Sequence, residues 1–300
     1  MDTVKLKVKD SDLADSIRTA LLTKNSLTTK SRDEGGRRVR FATGYKNQIE
    51  GHINGHHICY GYGPRSQYRS PGLLQFHLSH YPTWADFNAW ARALFGEHFK
   101  GILERCPVER LDVCLDLALP YETITKSISL PGCKTHERWA SDGGRTLYLG
   151  EIPSRFRVYE KRGLLSTNID YNSGEILDPA RRLNCIRIEL ELHKGKVPIK
   201  TLSELEKLRG TNPFEKLRFS DCSSLVQTVH LENSHLVQHF LKRVGEVGFA
   251  PAKKEFNAGG NFSRTIAPFI APLNLDLARA WQTRMTRFFG GISIESREAA

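Results

Sequence analysis

The sequence predicts an α+β fold: a mainly antiparallel sheet with helices packed on one face, then a mostly helical C-terminal region. Three observations carry this. Short runs with apolar and polar residues in strict alternation recur through the first two-thirds of the chain, the mark of half-buried strands. Tight-turn signals separate several of these runs, so neighbours join as hairpins and pair antiparallel. After Pro198 the texture changes to capped segments with apolar residues at helical spacing. With 300 residues the chain has room for two domains, and we divide it into residues 1–200 and 201–300.

Taken in order, residues 10–24 begin with cap-type residues and place Leu13, Ile17, Ala20 and Leu21 on one helical face. The stretch 30–40 is polar, basic and glycine-containing, and reads as an arm or loop suited to phosphate contact. Residues 48–62 read as strands broken by glycine turns, and Leu73–His80 as a further strand. Thr83 is a good N-cap for a helix carrying Phe87, Trp90, Ala91 and Leu94, which we read as core. Residues 108–119 form a strand, 146–161 a strand hairpin, and 185–192 another strand after a polar loop. Residues 60–78 and 148–159 share a faint outline of tyrosine, glycine turn, proline with serine and arginine, then strand, compatible with a duplicated unit. Beyond residue 200, Thr201–Gly210 reads as a short capped helix, 221–244 and 273–289 as longer ones, and Ala258-Gly-Gly-Asn-Phe262 between them as a flexible joint. The last helix sets Arg279, Arg284 and Arg287 near Trp281 and Phe288.

Composition narrows the function classes. Hydrophobic residues make up 39% and charged residues 26%, as in soluble globular chains. No apolar run approaches the ~18–20 residues that span a bilayer. The N-terminal Met1-Asp-Thr-Val-Lys-Leu-Lys-Val lacks a signal core, and the six cysteines form no Cys-x-x-Cys pair. Together these predict a cytoplasmic protein in a reducing compartment, with no membrane partner. The formal charge of +11 and pI near 9.4 favour a polyanionic partner, most simply nucleic acid.

Three strands carry candidate chemistry. In 110–117, Arg110, Asp112, Cys114 and Asp116 share one face and Leu111, Val113, Leu115 and Leu117 the other. In 187–193, Arg187, Glu189, Glu191 and His193 oppose Ile188, Leu190 and Leu192. In 156–161, Arg157, Tyr159 and Lys161 oppose Phe156 and Val158. Each could be the solvated face of an amphipathic strand. Aspartate is disfavoured in strands, however, and close carboxylates repel unless cations lie between them. Side by side, the three faces would gather carboxylates, a tyrosine and cations on one surface.

Such a face suits phosphodiester chemistry. Asp112 and Glu189, with Glu191 or Asp116, would hold a hard divalent cation, Mg²⁺ or Mn²⁺. A tyrosine hydroxyl has a pKa of ~10, so attack by Tyr159 needs help from Arg157, Lys161 or the metal, with a carboxylate or His193 accepting the proton. The product would be a phosphotyrosine bond and a free 3′-hydroxyl, resealable without ATP. Arg110, Arg155, Arg187 and Ser154 would contact the DNA. Tyr148, flanked by Leu147 and Leu149, reads as a core residue. Cys114 is given no role, and His56 and His57 beside Cys59 are a lesser candidate for a transition metal.

The set Arg110-Leu-Asp-Val-Cys-Leu-Asp116, Leu147-Tyr-Leu-Gly150 with Ser154 and Arg157-Val-Tyr-Glu-Lys161, and Arg187-Ile-Glu-Leu-Glu191 resembles the replication initiation factors of rolling-circle plasmids and filamentous phages. The resemblance covers roughly residues 50–195. It implies a strand-specific endonuclease that nicks origin DNA and stays linked to the 5′ end. It further implies metal dependence, origin recognition by the same chain and recruitment of a host helicase; we take residues 1–200 as the nicking-joining domain. Residues 201–300 are then a candidate for DNA recognition, and a homodimer stays open. Tyr159 falls at the nucleophile position, and Asp112 and Glu189 at acidic positions of that family. Two rival readings stand beside it: a metal-dependent nuclease in which water attacks, and a non-catalytic DNA-binding regulator.

Overall fold

The computed structural model describes residues 2–31, 44–117, 119, 121–133, 135–139, 145–160, 186–222, 234–258, 260–272 and 275–290. It is α+β, with a large sheet whose assigned pairings are antiparallel. The chain divides into two compact units that interleave in sequence: Met1–Val113 with Glu191–Thr211 and Gln282–Ala300, and Cys114–Leu190 with Asn212–Trp281.

The first unit starts with β1 (Thr3–Val8), whose Val4, Leu6 and Val8 are fully buried while Lys5 and Lys7 face the other side. Helix α1 (Ser11–Leu22) follows; the Asp10 side chain accepts the amides of Asp12 and Leu13 at 3.0 and 3.1 Å, satisfying donors that a helix start leaves open. Strands β2 (Leu27–Ser31), β3 (Tyr45–Ile53), β4 (His56–Pro64) and β5 (Gly72–His77) come next. The β3–β4 turn is Asn54-Gly55, both at positive φ (51° and 79°), as a two-residue hairpin requires. Helix α2 (Trp84–Phe95) opens on a Thr83–Asp86 capping box, and α3 (His98–Arg105) and β6 (Val108–Leu117) follow. The strand order is β2-β3-β4-β5-β1-β6.

The apolar faces of these strands meet α1, α2 and α3. Leu6, Ile58, Leu74, Phe76 and Leu111 are fully buried there together with Ile17, Phe87, Ala91 and Ile102. One glycine is fixed by this packing: a Cβ on Gly72 would lie 2.3 Å from the Tyr60 hydroxyl, which donates to the Ala14 carbonyl at 2.9 Å. The run 73–80, expected as one strand, stops at His77 and closes in a 3₁₀ turn, Leu78–His80. Leu202–Gly210 is also a 3₁₀ helix, with Leu202, Leu205 and Leu208 buried.

The second unit contains α4 (Tyr121–Thr125), β7 (Ile128–Ser129), β8 (Thr135–Trp139), β9 (Arg145–Glu151) and β10 (Ser154–Glu160). After β11 (Ile186–His193) and β12 (Arg218–Asp221) come α5 (Ser234–Val247), α6 (Phe249–Asn257), β13 (Ala271–Pro272) and α7 (Leu277–Gly290), whose residues from Gln282 onward belong to the first unit. Its strand order is β11-β10-β9-β8, with a separate small sheet β13-β12-β7. Val237, Phe240, Val244, Phe249, Ala252, Phe262 and Ile266 form one apolar cluster. The joint expected at Ala258 instead leads into a helical turn, Phe262–Ile266, that feeds this cluster. The helix expected over 221–244 is observed as Ser234–Val247, with residues 223–233 outside the described residues. The basic arm at 30–40 lies outside them from residue 32 onward.

Candidate functional site

On β6 the alternation is as expected, but the polar side is not solvated. Leu111, Val113 and Leu115 are at most 1% exposed, and so is Asp112 on the opposite face; Asp116 is 4% exposed. On β11, Glu189 and Glu191 are 0% and 1% exposed. Burying a carboxylate is costly unless it is paired and hydrogen-bonded, so each must have a partner. Arg110 supplies two of them. Its Nε and Nη2 donate to the two Asp112 oxygens at 2.7 Å each, and Nη2 also donates to Glu191 Oε1 at 2.7 Å.

Glu189 is held from β10. Arg157 Nη2 donates to its Oε1, and the Tyr159 hydroxyl donates to its Oε2 at 2.8 Å. The β10 alternation drives this: Phe156 and Val158 are buried on the apolar side, which turns Arg157 and Tyr159 to the other face. The Arg157 guanidinium carbon also lies 5.7 Å from the Tyr159 ring centre. One carboxylate thus receives both the tyrosine and its neighbouring cation.

Carboxylate oxygens of Asp112, Glu189 and Glu191 lie within 4.8 Å of one another. This is a set of hard oxygen donors that could hold a metal ion. Asp116, considered beside Glu191 as a ligand, is not in the set. It sits four residues along β6 from Asp112, roughly 13 Å at strand rise. Both its oxygens accept from Arg187, from Nε at 2.6 Å and Nη2 at 3.0 Å. Arg187 is itself 4% exposed, so its position is that of a buried ion pair and not of a DNA contact. No family model and no curated protein sequence matches this chain.

Among the other expected residues, Ser154 and Arg155 begin β10 and are half-buried, and Lys161 lies outside the described residues. His193, weighed as a proton acceptor, lines a cavity with Lys5 and Arg110; the hydroxyl of Tyr159 meets Glu189 instead. His57 rings stand 5.2 Å from His52 and 5.1 Å from His77, and His56 stacks on Tyr81 at 4.1 Å. Among the described residues the convergent ligand group is the carboxylate set and contains no histidine.

Tyr148 is a correction. It was expected in the core, yet it is half-buried and its Cα pairs across the hairpin with Arg157. It therefore shares the polar face, with the Arg155 guanidinium 4.7 Å from its ring centre. The flanking Leu147 and Leu149 are buried. A period of two places residues i and i+2 together and the residue between them opposite, so the leucines were the signal that Tyr148 faces away from the core.

Proposed function

We propose that this chain is a metal-dependent nicking and joining enzyme that cuts one DNA strand by tyrosine transesterification, as the resemblance to rolling-circle replication initiation factors implies. The observation that carries the reading is the 2.8 Å hydrogen bond from the Tyr159 hydroxyl to Glu189, a carboxylate of the Asp112–Glu189–Glu191 set. A nucleophile in contact with its proton acceptor is the arrangement that activated hydroxyls require. Origin DNA, a host helicase and a role in replicating a plasmid or phage follow from the resemblance.

In this mechanism the Tyr159 proton passes to Glu189 as the phenolic oxygen attacks phosphorus. The phosphorus–O3′ bond breaks, and the 3′-oxygen leaves as a hydroxyl by taking up one proton. The 5′ phosphate stays on Tyr159, and the reverse sequence reseals the strand. Arg157 places positive charge beside the attacking oxygen, where negative charge develops on the phosphoryl group. Arg110 fixes the rotamers of Asp112 and Glu191. A cation held by Asp112, Glu189 and Glu191 would supply Lewis-acid polarisation of the phosphodiester.

The test uses 3′-labelled single-stranded oligonucleotides of random sequence with Mg²⁺ or Mn²⁺, resolved on a denaturing gel. The 3′ label stays with the fragment that would be joined to protein. A shifted, protease-sensitive band that is lost in Tyr159→Phe is expected. Cleavage that survives Tyr159→Phe would assign the attack to water, and binding without cleavage in either metal would make the chain a DNA-binding regulator.

A further inference from the structure

A second feature of the polar face lies in the first unit and is basic. A cavity of about 290 Å³ is lined by Lys5, Lys7, Arg69 and Arg110, with Glu109 as its carboxylate. Its volume is at the lower end of ligand clefts, ~300 Å³ and above, which suits one nucleotide unit or less.

Each cation arrives there for a local reason. Lys5 and Lys7 are i and i+2 on β1, opposite the buried valine and leucine, and the Lys5 Cα pairs with that of Arg110 across the β1–β6 ladder. Arg69 occupies space that Gly44 leaves open: a Cβ at Gly44 would lie 2.1 Å from the guanidinium carbon. The wall is firm. The Tyr45 hydroxyl and Ser70 hydroxyl are 2.8 Å apart, and Ser70 donates to the Gly72 carbonyl at 3.0 Å. Those two hydroxyl protons are spent on the wall, so the lysines, the arginines and His193, which also lines the cavity, are the groups that would meet an anion.

Crowding these cations has a cost. Burial holds the Lys5 ammonium below its ordinary range, and the Arg110 charge pushes the same way, against Asp112, Cys59 and Glu109. An anion in the cavity would offset the repulsion from Arg110. Arg110 also ties the cavity to the acidic set, because the guanidinium that lines it donates to Asp112 and Glu191.

We propose that this cavity is a phosphate seat that grips a backbone phosphodiester of the bound single strand. Naming the strand as the source of that phosphate rests on the nicking reading; the anion site itself does not. The seat would set where the strand lies before any bond is cut.

The experiment separates the two claims. Binding of a fluorescent mixed-sequence 20-mer to the full chain is measured by anisotropy in chelator, across a salt series, so that no cutting contributes. Lys7→Gln/Arg69→Gln should weaken binding and make the log affinity against log salt slope shallower by about 0.7, the share of one phosphate contact for single strands. That corresponds to a loss of about 5-fold near 0.1 M salt. Gly44→Ala changes no charge but displaces the Arg69 guanidinium, and should also weaken binding. Circular dichroism checks that both variants fold. If Gly44→Ala and the double variant bind both the oligonucleotide and inorganic phosphate as wild type does, the seat is overturned. If inorganic phosphate binds wild type in calorimetry and not the double variant, while oligonucleotide affinity is unchanged, the seat serves a small anion and the strand assignment falls. Loss of oligonucleotide affinity in a protein that forms no covalent adduct would keep the seat and sink the nicking reading.

Discussion

Glu189→Gln is the substitution whose effect distinguishes a cation site from a structural ion cluster. Glu189 lies within 4.8 Å of the other two carboxylates, where two unit charges repel by ~3.5 kcal/mol at an effective dielectric of about 20. The amide removes that repulsion against both neighbours. It also loses attraction to Arg157 and must present its NH₂ to either Arg157 or Tyr159, both of which donate to Glu189 in the structure; a lost hydrogen bond to a charged group costs ~1.5–3 kcal/mol. The two sides are of similar size. In chelator, Glu189→Gln should therefore unfold within about 2 kcal/mol of wild type, on either side, where breaking a purely structural buried pair costs ~3–5 kcal/mol. Adding Mg²⁺ or Mn²⁺ should stabilise wild type by ~2.7 kcal/mol at one hundred times the dissociation constant, and the variant much less. Denaturant unfolding with and without metal measures both. An equal metal-induced shift in the two proteins, or a loss of 3–5 kcal/mol in chelator, would refute the reasoning.

Other outcomes follow from the same contacts. Arg187→Ala leaves the buried Asp116 without its bidentate donor and should cost ~3–5 kcal/mol in denaturant unfolding, while metal-dependent stabilisation persists. Phe240→Ala opens the fully buried apolar cluster of the second unit and should cost ~3–5 kcal/mol. Burial above all holds the His77 imidazole down to about 4, from 6.5. Its folded-state pKa is thus depressed, so the unfolded chain binds the proton first and stability present above pH 6.5 is lost as pH falls towards 4. Unfolding free energies at pH 7, 5.5 and 4 should fall less steeply in His77→Gln than in wild type.

Much of this arrangement was legible because strand alternation is a strict code. Asp112, Glu189 and Tyr159 were placed on polar faces from Leu111, Ile188 and Val158 beside them, and those residues are buried as the code requires. The N-cap at Thr83 was readable from residue type alone, and the structure completes it as a capping box with Asp86. What sequence could not supply was register between distant strands. That register brings Glu191 and not Asp116 into the carboxylate set, and only the fold decides it. Two further gaps were readable and missed. Leu147 and Leu149 marked Tyr148 as facing away from the core, and Val4, Leu6 and Val8 alternating with Lys5 and Lys7 marked β1 as a strand. That strand lies between β5 and β6 and supplies two cations to the cavity. The burial of the acids was not legible, because a face of charged residues reads as solvated until the arginines that cover it are placed.

The central claim is that Tyr159 carries the cut strand, and Tyr148 on the same face is its rival. The adduct formed with Mn²⁺ and a single-stranded oligonucleotide is trimmed with nuclease, digested with trypsin and sequenced by mass spectrometry. The account predicts the residual nucleotide on the peptide Val158-Tyr159-Glu160-Lys161, with Tyr148→Phe still forming adduct. A nucleotide on Tyr148, or cleaved DNA with no modified tyrosine at all, would contradict it.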